Sequence, residues 1–138
     1  MDTDFNLDRF VAAQDPVYSD VLAELRTGHK HTHWMWFIFP QLLGLGRSET
    51  SRRFGLRDLD EARRYLQHPL LGPRLVQATE AALQSGAAPL ALFGAVDCQK
   101  FISCMTLFRR AAGADSVFAR VLERLQTSDP TTEEMLGA

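Results

Sequence analysis

The run Thr32-His33-Trp34-Met35-Trp36-Phe37-Ile38-Phe39-Pro40-Gln41 constrains this chain more than any other feature, because it gathers both tryptophans and four more large apolar groups. Side chains of that size must be buried together, and buried indole N–H and imidazole groups need hydrogen-bond partners. The run predicts an apolar hub with polar groups arranged around it. It opens onto the pliable stretch Gly44-Leu45-Gly46-Arg47-Ser48, so a binding site is expected beside it.

At 138 residues, 46% apolar and 23% charged, the chain can bury one core, and a single domain over 1–138 with fraying ends is expected. A formal charge of −2 gives no bulk attraction to nucleic acid or anionic membranes. The stretch from Arg47 to Arg64 is locally basic, its arginines only partly offset by Glu49, Asp58, Asp60 and Glu61, and the small excess reads as a mixed-charge surface. Met1-Asp2-Thr3-Asp4 is acidic where a secretory signal would be basic, and no segment approaches the ~18 apolar residues of a membrane span. A cytoplasmic protein is expected. Cys98 and Cys104, if on one helix, lie roughly 9 Å apart along its axis, too far for a disulfide.

The spacing of apolar residues predicts helix after helix. Leu7, Phe10 and Val11 mark a short one; Asp15-Pro16 suggests a cap and first turn for a second that ends at Gly28. Trp34 to Phe39 fits a buried strand or a helical turn, and helix is favoured because no other segment offers a strand partner. Ser48 caps a helix through Phe54, and Asp58 or Asp60 one through Leu66. A helix from about Pro69 to Ser85 follows, with Gly72-Pro73 as a potential break in its first turn. After a short turn over Ala88 to Phe93, Asp97 opens a helix to Ala112 with Phe101, Met105, Phe108 and Ala112 as its stripe. Asp115 to Leu125 and a weak turn over Thr131 to Leu136 complete an all-α, multihelical domain packed around the Trp/Phe hub.

Three groups of residues are candidates for chemistry. His33 abuts the hub and has two readings: an acid/base or ligand-holding imidazole, or a core histidine bonded to backbone. His29 and His31 have no cysteine or acidic cluster to complete a ligand set, and Lys30 would repel a cation, so no metal is expected. Gly44, Gly46, Arg47 and Ser48 combine backbone N–H groups, a guanidinium and a helix start, the components of an anion site, although glycines needed for a turn give the same pattern. Lys100 and Ser103 sit on a polar face of the Asp97 helix, either lining a pocket or, for Lys100, pairing with Asp97 on the surface. No catalytic or cofactor motif is present, so no cofactor is expected.

Several segments together resemble a known family: Gln14-Asp15-Pro16-Val17-Tyr18, the run from His33 to Gln41, Gly44-Leu45-Gly46 with Ser48, His68 to Leu75, and Asp97 with Lys100-Phe101, Ser103 and Met105 to Phe108. On these residues the chain resembles the small bacterial helical proteins catalogued as domain of unknown function 1810. The resemblance runs from Leu7 to about Leu125 and implies an all-helical single domain with no established activity. It also implies that His33 belongs to the motif while His29 and His31 vary, and that Cys104 stands where serine is usual. The "calpastatin" label some members carry describes a disordered, repeat-bearing inhibitor, which this composition does not match.

Three functions compete. The first is a cytosolic protein binding a small anionic, nucleotide-like ligand among His33, Trp34, Trp36, Gln41, the glycine loop, Lys100 and Ser103. The second is an enzyme on such a ligand, with His33 as acid/base and Lys100 stabilising charge. The third is a protein–protein interaction module in which the aromatic motif is packing alone. The sequence leaves the oligomeric state open.

Overall fold

The computed structural model describes residues 6–137, so the acidic residues Met1 to Asp4 lie outside it. In order, the described helices are α1 (Asp8–Gln14), α2 (Tyr18–Thr27), α3 (Met35–Ile38), α4 (Glu49–Phe54), α5 (Leu59–Gln67), α6 (Leu71–Gln84), α7 (Pro89–Phe93), α8 (Ala95–Ala112), α9 (Val117–Leu125) and α10 (Pro130–Leu136). The 18-residue α8 is the axis of the fold, with α3, α5, α7, α9 and α10 packed against it. α6 lies between α2, α5 and α9, and α1 and α4 flank α3.

The core follows the apolar stripes. Phe101, Met105 and Phe108 of α8 are almost wholly buried, while Ala112, the last residue of the predicted stripe, is exposed. Trp34, Phe39, Phe93 and Phe101 form a connected ring cluster, with Phe39 edge-on to Phe101 at 5.1 Å. Phe10, Tyr65, Phe108 and Phe118 continue it in a second row. Such offset and edge-to-face pairs add about 0.5–1.5 kcal/mol each beyond the area they bury. Gln14, buried between the rows, donates to the Phe37 carbonyl at 2.7 Å and bonds the Tyr65 hydroxyl at 3.0 Å. Burial raises the Tyr65 phenol, so it stays neutral.

Caps decide most helix boundaries. Ser48, Asp58, Ser116 and Asp129 each accept a backbone N–H three residues on. The cap of α5 is Asp58, not Asp60, and that of α9 is Ser116. Asp15-Pro16 does not open α2: Asp15 ends α1 and pairs with Arg74 at 2.9 Å, and Val17 precedes the first residue of α2. Gly72-Pro73 does not break α6, because Pro73 falls in the first turn, where its missing N–H has no intrahelical acceptor to leave empty. A Cβ at Gly72 would lie 2.1 Å from the Leu66 carbonyl oxygen, so glycine there lets α6 fold back on the end of α5.

The Trp34 to Phe39 segment is helical over Met35–Ile38. Just past it, Leu42 makes an isolated parallel bridge to Leu56, through Leu43 N–H to the Leu56 carbonyl at 2.7 Å and Leu56 N–H to the Gln41 carbonyl at 2.9 Å. That bridge fixes both ends of the glycine loop and α4.

Candidate functional site

The hub is held by a carboxylate that the motif does not contain. Glu24 on α2 accepts the backbone N–H groups of His31 (2.7 Å) and Thr32 (3.0 Å), the Thr32 hydroxyl (2.6 Å) and the Trp34 indole N–H (3.0 Å). Partial burial pushes its acidity the other way, but the bonds from Thr32, His31 and Trp34 outweigh burial and hold the carboxyl at about 2. Trp34 is thereby seated in the core at 2% exposure, with its one polar group satisfied.

The two lysines of the chain meet at one carboxylate. Asp97, in the first turn of α8, is bonded by Lys30 at 3.0 Å through one oxygen and by Lys100 at 3.0 Å through the other. Burial raises the Asp97 carboxyl, yet the two ammonium groups prevail and hold it below the ordinary range. Each lysine also stands over a tryptophan of the motif: Lys30 lies 4.9 Å from the Trp34 ring centroid and Lys100 lies 4.3 Å from that of Trp36. Cations at these distances are attracted by the ring face. Two ammonium groups and one carboxylate leave the triad with one net positive charge.

Lys100 faces a cleft of about 540 Å³ between α8, the glycine loop and the start of α10. Five of the expected residues line it: Trp36, Gln41, Gly46, Lys100 and Ser103. Gln99, Asp129, Thr131, Leu45 and Val96 complete the wall. Among the described residues of that wall, Lys100 is the sole cation and Asp129 the sole carboxylate.

The other expected residues do not line the cleft. His33 is exposed. Trp34 is consumed by the core and Glu24. Gly44 turns the chain at φ +104°, against the Met135 methyl, and Arg47 is exposed. Ser48 caps α4 by accepting the Ser51 N–H at 3.1 Å. Gly46 is explained by close approach, since a Cβ there would meet Ser51 at 2.8 Å and the Trp36 ring at 3.3 Å. His29 and His31 face one another at 4.5 Å between ring centroids, outside the cleft.

Ser103 is tied down rather than free. Its hydroxyl lies 3.0 Å from both the Gln99 carbonyl and one oxygen of Asp129, sharing its proton between them, and that same carboxylate oxygen accepts the Thr132 N–H at 3.1 Å and the Thr132 hydroxyl. The Asp129 N–H in turn bonds the Thr106 hydroxyl at 2.9 Å. Asp129 thus caps α10 and pins it to α8, forming the far wall of the cleft; Arg109 and Arg110 hold Glu133 one turn later. Cys104, beside Ser103, is fully buried in the core and does not line the cleft.

Sequence reasoning missed Glu24, Lys30, Asp97 as a shared partner, Gln99 and Asp129. For Asp129 the signal was present: Asp129-Pro130 carries the cap-then-proline pattern that was assigned at Asp15-Pro16. For Glu24 none existed, because its role depends on α2 lying beside a loop that turns back at Gly28.

None of the described helices is long and apolar enough to cross a membrane. No functionally curated protein matches the chain. Among solved structures, the crystal structure of the conserved hypothetical protein Rv1873 from Mycobacterium tuberculosis is similar to it, with 46% identity over 98% of this chain and 99% of that one, at a TM-score of 0.94. The family profile described as "Protein of unknown function (DUF1810)" matches residues 4–136, and the chain therefore belongs to the DUF1810 family.

Proposed function

We propose that the protein is a cytosolic binder of a small anionic, nucleotide-like ligand, held in the cleft between Lys100, Trp36 and the start of α10. The observation that carries this reading is the position of Lys100. Its ammonium sits above the Trp36 ring in a cleft that also holds Gln41, Gln99, Ser103 and Thr131, and the triad of Lys30, Asp97 and Lys100 carries one net positive charge. A surface ion pair alone would need neither the tryptophan nor the polar wall opposite. A single cation in the lining suits one phosphate or carboxylate rather than a polyphosphate chain.

His33 and Lys100 do not share this cleft, so an enzyme built on that pair has no support from the geometry. The test is a thermal-shift screen of inorganic phosphate, nucleoside monophosphates, ADP-ribose and phosphorylated sugars against wild type and Lys100→Ala. A ligand that binds only the folded state adds about 2.7 kcal/mol at ~100 times its Kd, which raises the Tm by several degrees. The proposal expects a shift in wild type that is lost in folded Lys100→Ala. No shift with any anion would reject it and favour an interaction module.

A further inference from the structure

The cleft has two chemically different ends, and the second end specifies more than an anion. Asp129 is 95% buried, yet its two oxygens are unequally used. One accepts the Thr132 N–H and hydroxyl and shares the Ser103 proton with the Gln99 carbonyl. The other receives a single long bond, from the Gln99 side-chain amide at 3.3 Å. A carboxylate has about four acceptor positions, so this oxygen retains capacity for a donor brought by a ligand. Gln99 lies beside it on the cleft wall and offers both a donor and an acceptor.

A second anionic group would be repelled from this end, whereas a hydroxyl suits it, because it donates to the carboxylate and accepts from the amide. An ammonium would use the acceptors alone. Lys100 and Ser103 are three residues apart on α8, an axial rise of roughly 4.5 Å. Gln99, which adjoins Lys100 on α8, and Ser103, three residues beyond it, both bond Asp129, so the charge-binding and hydroxyl-binding ends lie side by side along one turn of α8.

We infer that the ligand is a phosphorylated polyol, with its phosphate at Lys100 and a hydroxyl bridging Asp129 and Gln99. This inference rests on the anion-binding reading above and narrows it to a chemical class. Both a free sugar phosphate and the ribose phosphate of a nucleotide carry that chemistry.

The experiment is calorimetric titration of the full chain with ribose 5-phosphate, AMP, 2′,3′-dideoxy-AMP, phenyl phosphate and phosphoethanolamine. Wild type is expected to bind ribose 5-phosphate and AMP at least tenfold more tightly than phenyl phosphate and the dideoxy nucleotide. Gln99→Leu, an exposed position that leaves the α10 cap intact, is expected to erase that preference while retaining the weaker affinity for phenyl phosphate. Equal affinity of AMP and dideoxy-AMP, tighter binding of phosphoethanolamine, or a preference untouched by Gln99→Leu would overturn the inference while leaving the anion site standing. No binding by any of the five would remove both. Similar affinities for ribose 5-phosphate and AMP identify the free sugar phosphate as the sufficient ligand; a large gain for AMP identifies the nucleotide.

Discussion

Replacing Glu24 by glutamine tests the physical account of the hub quantitatively. In the folded protein its carboxyl is held at about 2, against an ordinary 4.5. At ~1.36 kcal/mol per pH unit that fall corresponds to about 3.4 kcal/mol if all of it were expressed as stability. The carboxylate is partly exposed, and solvent screening reduces the figure to about 1–2 kcal/mol. The folded value lies below the unfolded one, so the stabilisation is complete above the unfolded value near 4.5 and is lost as pH falls from there towards 2. Glu24→Gln removes this contribution but keeps one acceptor for the Trp34 indole; Glu24→Ala also leaves that buried N–H without a partner, for a further cost of about 1–3 kcal/mol. At about 3–5 °C per kcal/mol for a chain of this length, Glu24→Gln should melt about 3–10 °C below wild type at pH 7. Asp97 titrates in a similar direction, so the informative quantity is the difference between the two proteins. Urea unfolding followed by tryptophan fluorescence at pH 7 and pH 3 gives it, and the gap should narrow at pH 3. A gap below about 0.3 kcal/mol at pH 7, or one that widens in acid, would refute the reasoning.

Two further predictions concern the scaffold. Gly72→Ala forces a Cβ to 2.1 Å from the Leu66 carbonyl oxygen, and because that atom is backbone the strain has no cheap release; a loss of about 3 kcal/mol or more is expected by chemical denaturation. Cys98 is half-buried and Cys104 fully buried, and burial pushes both thiols up. Alkylation at pH 8 followed by mass spectrometry should therefore label Cys98 first and slowly, with Cys104 modified only at the rate of unfolding.

Much of this molecule was legible in its sequence. Helices with a side-chain cap and a clear stripe, such as α4 and α5, begin close to where Ser48 and Asp58 place them, because the cap and the apolar period act over three or four residues. The Asp15-Pro16 assignment failed for a tertiary reason: Arg74, far along the chain, claims the Asp15 carboxylate, and the same dipeptide at Asp129-Pro130 does the capping. The candidate site was half legible. Trp36, Gln41, Gly46, Lys100 and Ser103 converge, since the motif and the polar face of α8 are brought together when the Phe39 and Phe101 rings pack. Lys30 reaches Asp97 because Glu24 folds the loop after Gly28 back over Trp34 and the Leu92 carbonyl of α7 accepts the Lys30 N–H at 2.9 Å, contacts between elements whose local sequence carries no trace of them. His33 misled because its place beside two tryptophans suggested burial; at the start of α3 its side chain is left outside.

The central claim, that the cleft before Lys100 takes a small anion, is tested most directly by mapping where one binds. Titrating isotopically labelled protein with AMP and following amide and indole resonances distinguishes this cleft from the apolar groove between α6 and α9 and from the arginine-lined hollow around Arg9. The account predicts saturable shifts of the Trp36 indole N–H, the Gly46 and Lys100 amides and the Gln99 side-chain amide, all with one Kd and all abolished in Lys100→Ala. Shifts centred on Arg9 and Arg53, or on Ala87 and Arg124, with the Trp36 indole unmoved, would contradict it.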